Sequence, residues 1–247
     1  MLGICAATKW ELRPVLRSLR DIRRVDVRGI RTWRALQPTG PVLLFRSGIG
    51  LDAANRVAEA VLAGEGLIGL LNTGVAGALK TDLIAGQLVI PDVLVDPTTP
   101  DPIHLPTDIA WTGRLRTVAA AARLLADTGP LMTSPGVLAT VAEKRRAAAL
   151  YGASAVEMEG SALATVAARY QIPFATVRAV LDDAGTNLPQ FPWANRHSPT
   201  AEGEDDLIVH TKAIEKPTSF LSLGLALRKA HNALVQFFHT FNNPDTR

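Results

Sequence analysis

Ala153-Ser154-Ala155-Val156-Glu157-Met158-Glu159-Gly160-Ser161-Ala162 is a small-apolar run that ends in two carboxylates around a methionine and passes straight into Ala-rich sequence. It reads as a buried strand feeding a helix. Carboxylates buried at the end of a strand cost several kcal/mol unless each finds a partner, so this Glu-X-Glu reads as a site, not as solvated surface. Downstream, Ser161 to Tyr170 has helical composition, and Ile172-Pro173-Phe174-Ala175-Thr176-Val177-Arg178-Ala179-Val180 reads as a second buried strand. Strand, short helix, strand is a right-handed crossover, which predicts that the two strands run parallel. Glu157 to Glu159 and Leu181-Asp182-Asp183 are then expected at one sheet edge, facing one pocket.

The 247 residues suit one α/β domain spanning the whole chain, 1–247. Hydrophobic residues at 47% with only 5% aromatics point to helices and strands packed through an Ala/Val/Leu core. A net charge of +3 is too small to imply a nucleic-acid partner. The basic residues near the start (Arg17, Arg20, Arg23, Arg24, Arg28, Arg31, Arg34) lack aromatic interleaving and read as a solvated face. Cys5 stands alone in an apolar run, which fits a small core residue in a reducing compartment. No apolar run reaches the roughly 18 residues a membrane span needs. Lys9, Glu11 and Arg13 arrive too early for a signal peptide, so the expected location is the cytoplasm.

Upstream of the opening motif, Leu2 to Ala7 reads as a buried strand, and Thr8 with Glu11 three positions on forms a capping box for the next helix. Glu11 is therefore either a capping carboxylate or, at the exit of the first strand, a site residue. Val25 to Leu36 alternates and reads as edge strands. Pro41 to Arg46 is an apolar strand that ends in Ser47-Gly48-Ile49-Gly50, a turn whose amides can approach an anion or a sugar. A tight turn without a ligand fits the same residues.

Gly66 to Leu71 leads into Asn72-Thr73-Gly74-Val75-Ala76-Gly77-Ala78-Leu79, which reads as a strand-end turn with exposed backbone able to read a flat heterocycle. Gly86 to Asp96 reads as one strand carried past Pro91, Pro97 to Trp111 as a long loop containing an unpartnered His104, and Gly113 to Ala126 as a helix. Leu131 to Ser134 is a strand, with a turn at Val137-Leu138, and Glu143 to Leu150 is helical. Residues 184 to 216 read as irregular, and their acidic knot (Glu202, Glu204, Asp205, Asp206) reads as a solvated turn, so neither a metal nor a cofactor is expected. A final amphipathic helix starts at Pro217 and carries Leu221, Leu225, Leu234, Phe237 and Phe238.

These blocks resemble the nucleoside phosphorylase/nucleosidase superfamily, and within it the methylthioadenosine/S-adenosylhomocysteine nucleosidases. The resemblance rests on Ser47-Gly48-Ile49-Gly50, Asn72 to Gly77, Ala155-Val156-Glu157-Met158-Glu159-Gly160, and Val177-Arg178-Ala179-Val180-Leu181-Asp182, in matching order over residues 1 to 183. It implies a three-layer α/β/α fold with a central mixed twisted sheet. It implies that Asp182 donates a proton to purine N7 and that Glu159 grips the ribose hydroxyls. Met158 would pack on the sugar. Val75, Ala76, Gly77, Val137 and Leu138 would flank the base, with Ser47 completing the substrate-binding set. Arg178 would orient an acidic partner. Glu157 is expected to point to the opposite side from Glu159 and to be structural. Two adjacent acids stand where the family has one, and alternation along Thr176 to Asp182 favours Asp182 over Asp183.

The nucleophile decides the reaction class. Phosphorylases of this superfamily carry a Gly-Asp-Pro-X-Arg turn where this chain has Ala7-Thr8-Lys9-Trp10-Glu11. Glu11 matches instead the carboxylate that activates water in nucleosidases, and a carboxylate there would repel phosphate. Hydrolysis is expected; Arg13 and Arg46 leave phosphorolysis as the alternative, and a non-catalytic nucleoside binder as the alternative from another class. Ala6 to Pro14 resembles futalosine hydrolases of menaquinone synthesis, while Asp182-Asp183-Ala184, Leu188-Pro189 and Lys216-Pro217 resemble the hopanoid-associated nucleosidase acting on adenosylhopane. Both rank ahead of methylthioadenosine. The resemblance also implies a homodimer or larger homo-oligomer, with Pro97 to Trp111 as the candidate contact loop.

Overall fold

Two-residue alternation builds the centre of the sheet. In β1 (Leu2–Ala6), Leu2, Ile4 and Ala6 join one core cluster and Cys5 the other. In β4 (Gly40–Arg46), Val42 and Leu44 face the first core, Leu43 and Phe45 the second. A strand with apolar side chains on both faces can only lie between two layers of helices. The structure, a computed structural model, describes residues 1–188 and 217–243, the last segment with side chains from Ser222 onward.

One face of the sheet is covered by α2 (Leu51–Gly64) and α5 (Gly160–Arg169), the other by α1 (Lys9–Arg17), α3 (Ile109–Ala121) and α6 (Pro217–Asn242). The expected three-layer α/β/α arrangement is the one observed. The longest helix among the described residues, α6, contributes Phe237, Phe238 and Phe241, whose rings pack on one another at centroid distances of 5.2–6.1 Å. No helix among the described residues is long and apolar enough to cross a membrane.

The mixed sheet runs β2 (Arg20–Val27), β3 (Ile30–Gln37), β4, β1, β5 (Gly69–Ala78), β11 (Ala155–Glu157), β10 (Leu131–Thr133), β7 (Val93–Asp96), β8 (Ile103–Pro106). Beside this path, β12 (Phe174–Asp182) pairs with β5 and with β6 (Leu88–Val89), and β6 pairs with β9 (Ala126–Asp127). The exposed arginines Arg20, Arg23 and Arg24 lie on the outer strand β2, where charge discourages edge-to-edge pairing. They form the solvated face expected of them.

β5 is the strand on which the topology turns. Its first half lies between β1 and β12, both parallel to it; at its end, β11 takes the side of β1 and runs antiparallel. The expected parallel relation of β11 and β12 is therefore wrong. The two strands do not pair, and they meet the same glycine from opposite sides: Gly77 is in register with Val156 and with Asp182. The ends still converge, through β5 rather than through a shared crossover.

The structure corrects three other expectations. Asn72 to Ala78 is not a turn but the second half of β5, because β12 and β11 supply hydrogen-bond partners along its full length. Gly86 to Asp96 divides into β6 and β7 around Pro91, and the two halves pair with different strands. Pro97 to Trp111 contains β8, which includes the exposed His104, and the start of α3, capped by Asp108. The acidic knot, Pro189, Pro192 and Pro199 lie outside the described residues, as does the side chain of Leu221.

Phe237 is fully buried against the sheet, so Phe237→Ala is expected to cost about 3–5 kcal/mol. Urea denaturation measures it; a loss below about 1 kcal/mol would mean that α6 does not complete this core.

Candidate active site

The first corner of the site is the junction of β1 and α1. Thr8 caps the helix and Glu11 returns the bond: Glu11 N–H donates to Thr8 Oγ1 at 3.3 Å, and Thr8 N–H and hydroxyl both donate to Glu11 Oε2 at 3.0 Å. This is the expected capping box. Glu11 Oε1 turns the other way and accepts from Val75 N–H of β5 at 2.9 Å. The two readings of Glu11 are therefore compatible: one carboxylate caps the helix, is buried, and also lines a cavity.

At the second corner, β11 ends on Glu157. Its carboxylate accepts from the Thr133 hydroxyl at 2.6 Å, from Glu159 N–H at 2.9 Å and from Gly160 N–H at 2.8 and 2.9 Å, and it is paired with Arg178. A Cβ on Gly160 would lie 2.9 Å from Glu157 Oε1, so only glycine admits this cradle. Glu157 is thus saturated and structural, as expected. It does not point away from Glu159, however. Residues two apart along a strand share a face, and both carboxylates reach Arg178 Nη2.

Glu159 is less fully engaged. It accepts from Gly50 N–H at 2.9 Å and lies 3.5 Å from Arg178 Nη2. Burial, with the neighbouring Glu157 carboxylate adding to it, pushes its pKa up to about 8 against the pull of Arg178. Arg178 itself, only 1% exposed, also lies 3.9 Å from Glu11. A single guanidinium thus serves three buried carboxylates. Gly74 makes this possible: a Cβ there would collide with both Glu11 and Arg178.

The third corner is the end of β12. Asp182 is buried, and its Oδ2 is paired with the ammonium of Lys144, a fully buried residue of α4 (Val141–Tyr151). Burial pushes the Asp182 carboxyl up, Lys144 pulls it down, and Asp183 adds to the rise. Asp183 faces elsewhere, and its Oδ1 accepts from Ala85 N–H at 3.0 Å. Between the two acids, Asp182 is the one the fold turns toward the cavity. Gly77 lies against it, with a hypothetical Cβ 3.3 Å from either carboxylate oxygen.

These corners enclose a cavity of about 160 Å³. Glu11, Glu157, Glu159 and Asp182 line it, together with Met158, Val75, Ala76, Gly77, Val137 and Leu138. Ser47 and Arg178 do not: Ser47 supports the glycine turn from behind, donating to Gly48 O at 2.8 Å, and Arg178 lies behind the carboxylates. Trp10, Ile49, Leu188, Leu223 and Leu227 complete an apolar wall. Leu223 and Leu227 stand one turn apart on α6, whereas Leu225 is 59% exposed. Lys144 was hidden in the sequence because Lys144-Arg145-Arg146 reads as an ordinary basic helix face. Among the described residues no group of side chains could hold a metal ion.

A model of the phosphorylase superfamily matches residues 1–222. The 5′-methylthioadenosine/S-adenosylhomocysteine nucleosidase of Aeromonas salmonicida is 29% identical over 205 residues, covering 74% of this chain and 86% of that protein. The aminodeoxyfutalosine nucleosidase of Campylobacter jejuni is 26% identical over 197 residues, with the same coverage of 74% and 86%. The futalosine hydrolase structure of Helicobacter pylori superposes with a TM-score of 0.75 at 20% identity, over 96% of this chain and 94% of that one, a likeness of fold.

With its folded pKa raised to about 8, Glu159 holds its proton more tightly in the folded protein than in the unfolded chain. Its contribution to stability is complete below the unfolded value of about 4.3 and is lost as pH rises through the folded one. One such proton gives a slope of about 1.4 kcal/mol per pH unit. Glu159→Gln is expected to flatten the fall in stability between about pH 5 and pH 8, measured by urea denaturation across that range. An unchanged slope would mean that Glu159 is ionised throughout.

Proposed function

Because this chain belongs to the phosphorylase superfamily, we propose that it is a purine nucleoside N-glycosidase that cleaves by hydrolysis. One observation carries the reading: Glu11, Glu159 and Asp182, delivered by three separate elements, line a single cavity. Cleavage of an N-glycosidic bond needs a proton on the departing base, stabilisation of a cationic sugar and an activated nucleophile. The three carboxylates match those needs in turn.

Asp182 in its acid form would protonate purine N7. The bond from C1′ to N9 then breaks, and its electron pair leaves with the base. Glu159 would hold the ribose hydroxyls; positive charge forming on the sugar favours its ionised state, and the nearby Arg178 keeps that state accessible. Glu11, fixed by Thr8 and Val75, would take a proton from water as the water oxygen bonds to C1′. Met158 offers an apolar contact to the sugar, and the backbone of Val75 to Gly77 a wall for the base.

Hydrolysis is favoured over phosphorolysis because no cationic side chain among the described residues lines the cavity. The two nearby buried cations, Arg178 and Lys144, are already paired with carboxylates. Arg13 is exposed and Arg46 lies outside the lining. A phosphate dianion would enter among carboxylates with no counter-charge. The apolar wall of Trp10, Leu188, Leu223 and Leu227 supports a substrate with an apolar 5′ substituent, as in adenosylhopane, ahead of one that carries a carboxylate, as in futalosine. A passive binder would have no use for a buried acid and a buried base lining one cavity.

Incubation with adenosine, methylthioadenosine, futalosine and adenosylhopane is expected to release free base at a rate independent of phosphate. Release that requires phosphate would sink the hydrolase reading, and no release from any of them would favour a binder. Asp182→Asn and Glu11→Gln are each expected to lower kcat by about 10²–10⁴, the usual contribution of a general acid or base. Asp183→Asn keeps an oxygen for Ala85 and is expected to keep activity within about threefold of wild type. A large loss from Asp183→Asn alone would assign the acid to the wrong residue.

A further inference from the structure

Lys144 is the one charged residue of α4 that the helix buries; its neighbours Glu143, Arg145 and Arg146 are exposed. An ammonium offers three N–H bonds, and three acceptors meet them: Asp182 Oδ2, the Asp183 carbonyl at 2.9 Å and the Thr186 carbonyl at 2.8 Å. A neutral amine would turn a lone pair toward one of these oxygens, so the arrangement suits the charged form. The turn that follows β12 is also stitched to the start of α4. Val141 N–H donates to Asn187 Oδ1, and Leu188 N–H to the Ala139 carbonyl, at 2.8 and 2.7 Å. The ammonium is therefore clamped behind Asp182. Asp182 lines the cavity, and no hydrogen bond to its Oδ1 is seen among the described residues.

We propose that Lys144 is a positioning residue that makes Asp182 an effective acid, holding one carboxyl oxygen so that the other faces the purine and stabilising the carboxylate left when the proton departs. The proposal rests on the nucleosidase reading above. The step balances: the proton on Asp182 Oδ1 forms the N–H bond at N7, the C1′–N9 electron pair leaves with the base, and the new negative charge on Asp182 is met by Lys144 without any further proton transfer. A buried carboxylate formed without a counter-ion costs several kcal/mol, and that cost would otherwise be added to the barrier. Lys144 does not touch the substrate; it acts through Asp182.

The charged groups that act on Asp182 are Lys144, which pulls its carboxyl down, and Asp183, which pushes it up as burial does. Across the cavity, Glu11, Glu157 and Glu159 are bound to the Arg178 cluster. Removing the Lys144 charge leaves the upward influences unopposed. Asp182 then stays protonated to higher pH but is a weaker acid.

The test is the pH profile of kcat/KM, together with kcat, for wild type, Lys144→Met and Lys144→Gln on the best nucleoside of the panel. Gln retains an N–H donor in the same space, which covers the case in which Met does not fold. The expected result is a basic limb displaced upward by about 1 pH unit or more, with kcat lower by about 10–100-fold. Uniformly reduced activity with the basic limb in place would mean a purely structural lysine and would overturn the proposal, as would variants that match wild type. If wild type releases no base from any nucleoside, the nucleosidase reading fails and this proposal with it. An active wild type with unshifted variants overturns the Lys144 proposal alone.

Discussion

The buried guanidinium of Arg178 is the interaction on which the rest of the site depends. Glu157 and Glu159 come from the end of β11 and Glu11 from the start of α1, and all three reach it. Three carboxylates brought together out of water would repel one another and pay heavily for desolvation. A planar, permanently charged group with several N–H donors can answer more than one of them at once, which a lysine could not do in the same geometry. Burial, with the Glu157 and Glu11 carboxylates adding to it, raises the pKa of Glu159, the least hydrogen-bonded of the set, against the pull of Arg178.

At the end of β12 a second buried cation, Lys144, serves a single acid, Asp182. The two clusters have different electrostatic characters. The Arg178 cluster is crowded with negative charge, which suits a site proposed to face a cationic sugar. The Lys144 cluster is a balanced pair, which suits an acid proposed to give up a proton and be left charged. The strand β5 keeps the two in fixed relation, because Gly77 is in register with both Val156 and Asp182. Gly74 and Gly77 both lack a side chain where a carboxylate approaches the backbone, which explains why this segment looks like a loop in sequence although it is a strand in the fold.

Much of this was legible in the residues. Composition and apolar runs pointed to helices and strands packed through an Ala/Val/Leu core, and the capping pattern of Thr8 and Glu11 placed a carboxylate at the first strand's exit. Alternation along β12 favoured Asp182 over Asp183, and Asp182 lines the cavity although the register shifts between Val180 and Asp182 just before it. The expectation that Glu157 and Glu159 point to opposite sides failed, since positions two apart share a face and both reach Arg178. The crossover rule failed for the relation of β11 to β12, since β11 pairs antiparallel and β12 parallel with the β5 strand between them. Leu223 and Leu227 were missed because several leucine spacings along α6 look equally apolar before the helix is docked.

Sequence alone determined the α/β class from composition and apolar runs, and its short contiguous motifs carried the family resemblance, which implied the three-layer fold and the candidates Glu11, Glu159 and Asp182. Tertiary structure alone decided which charges are paired. Arg178 meets Glu157 across 21 positions and Lys144 meets Asp182 across 38. The energy of a buried ion depends on what surrounds it in space, and a lysine that belongs to a basic helix face by composition becomes the partner of a buried acid only once the chain has closed around both.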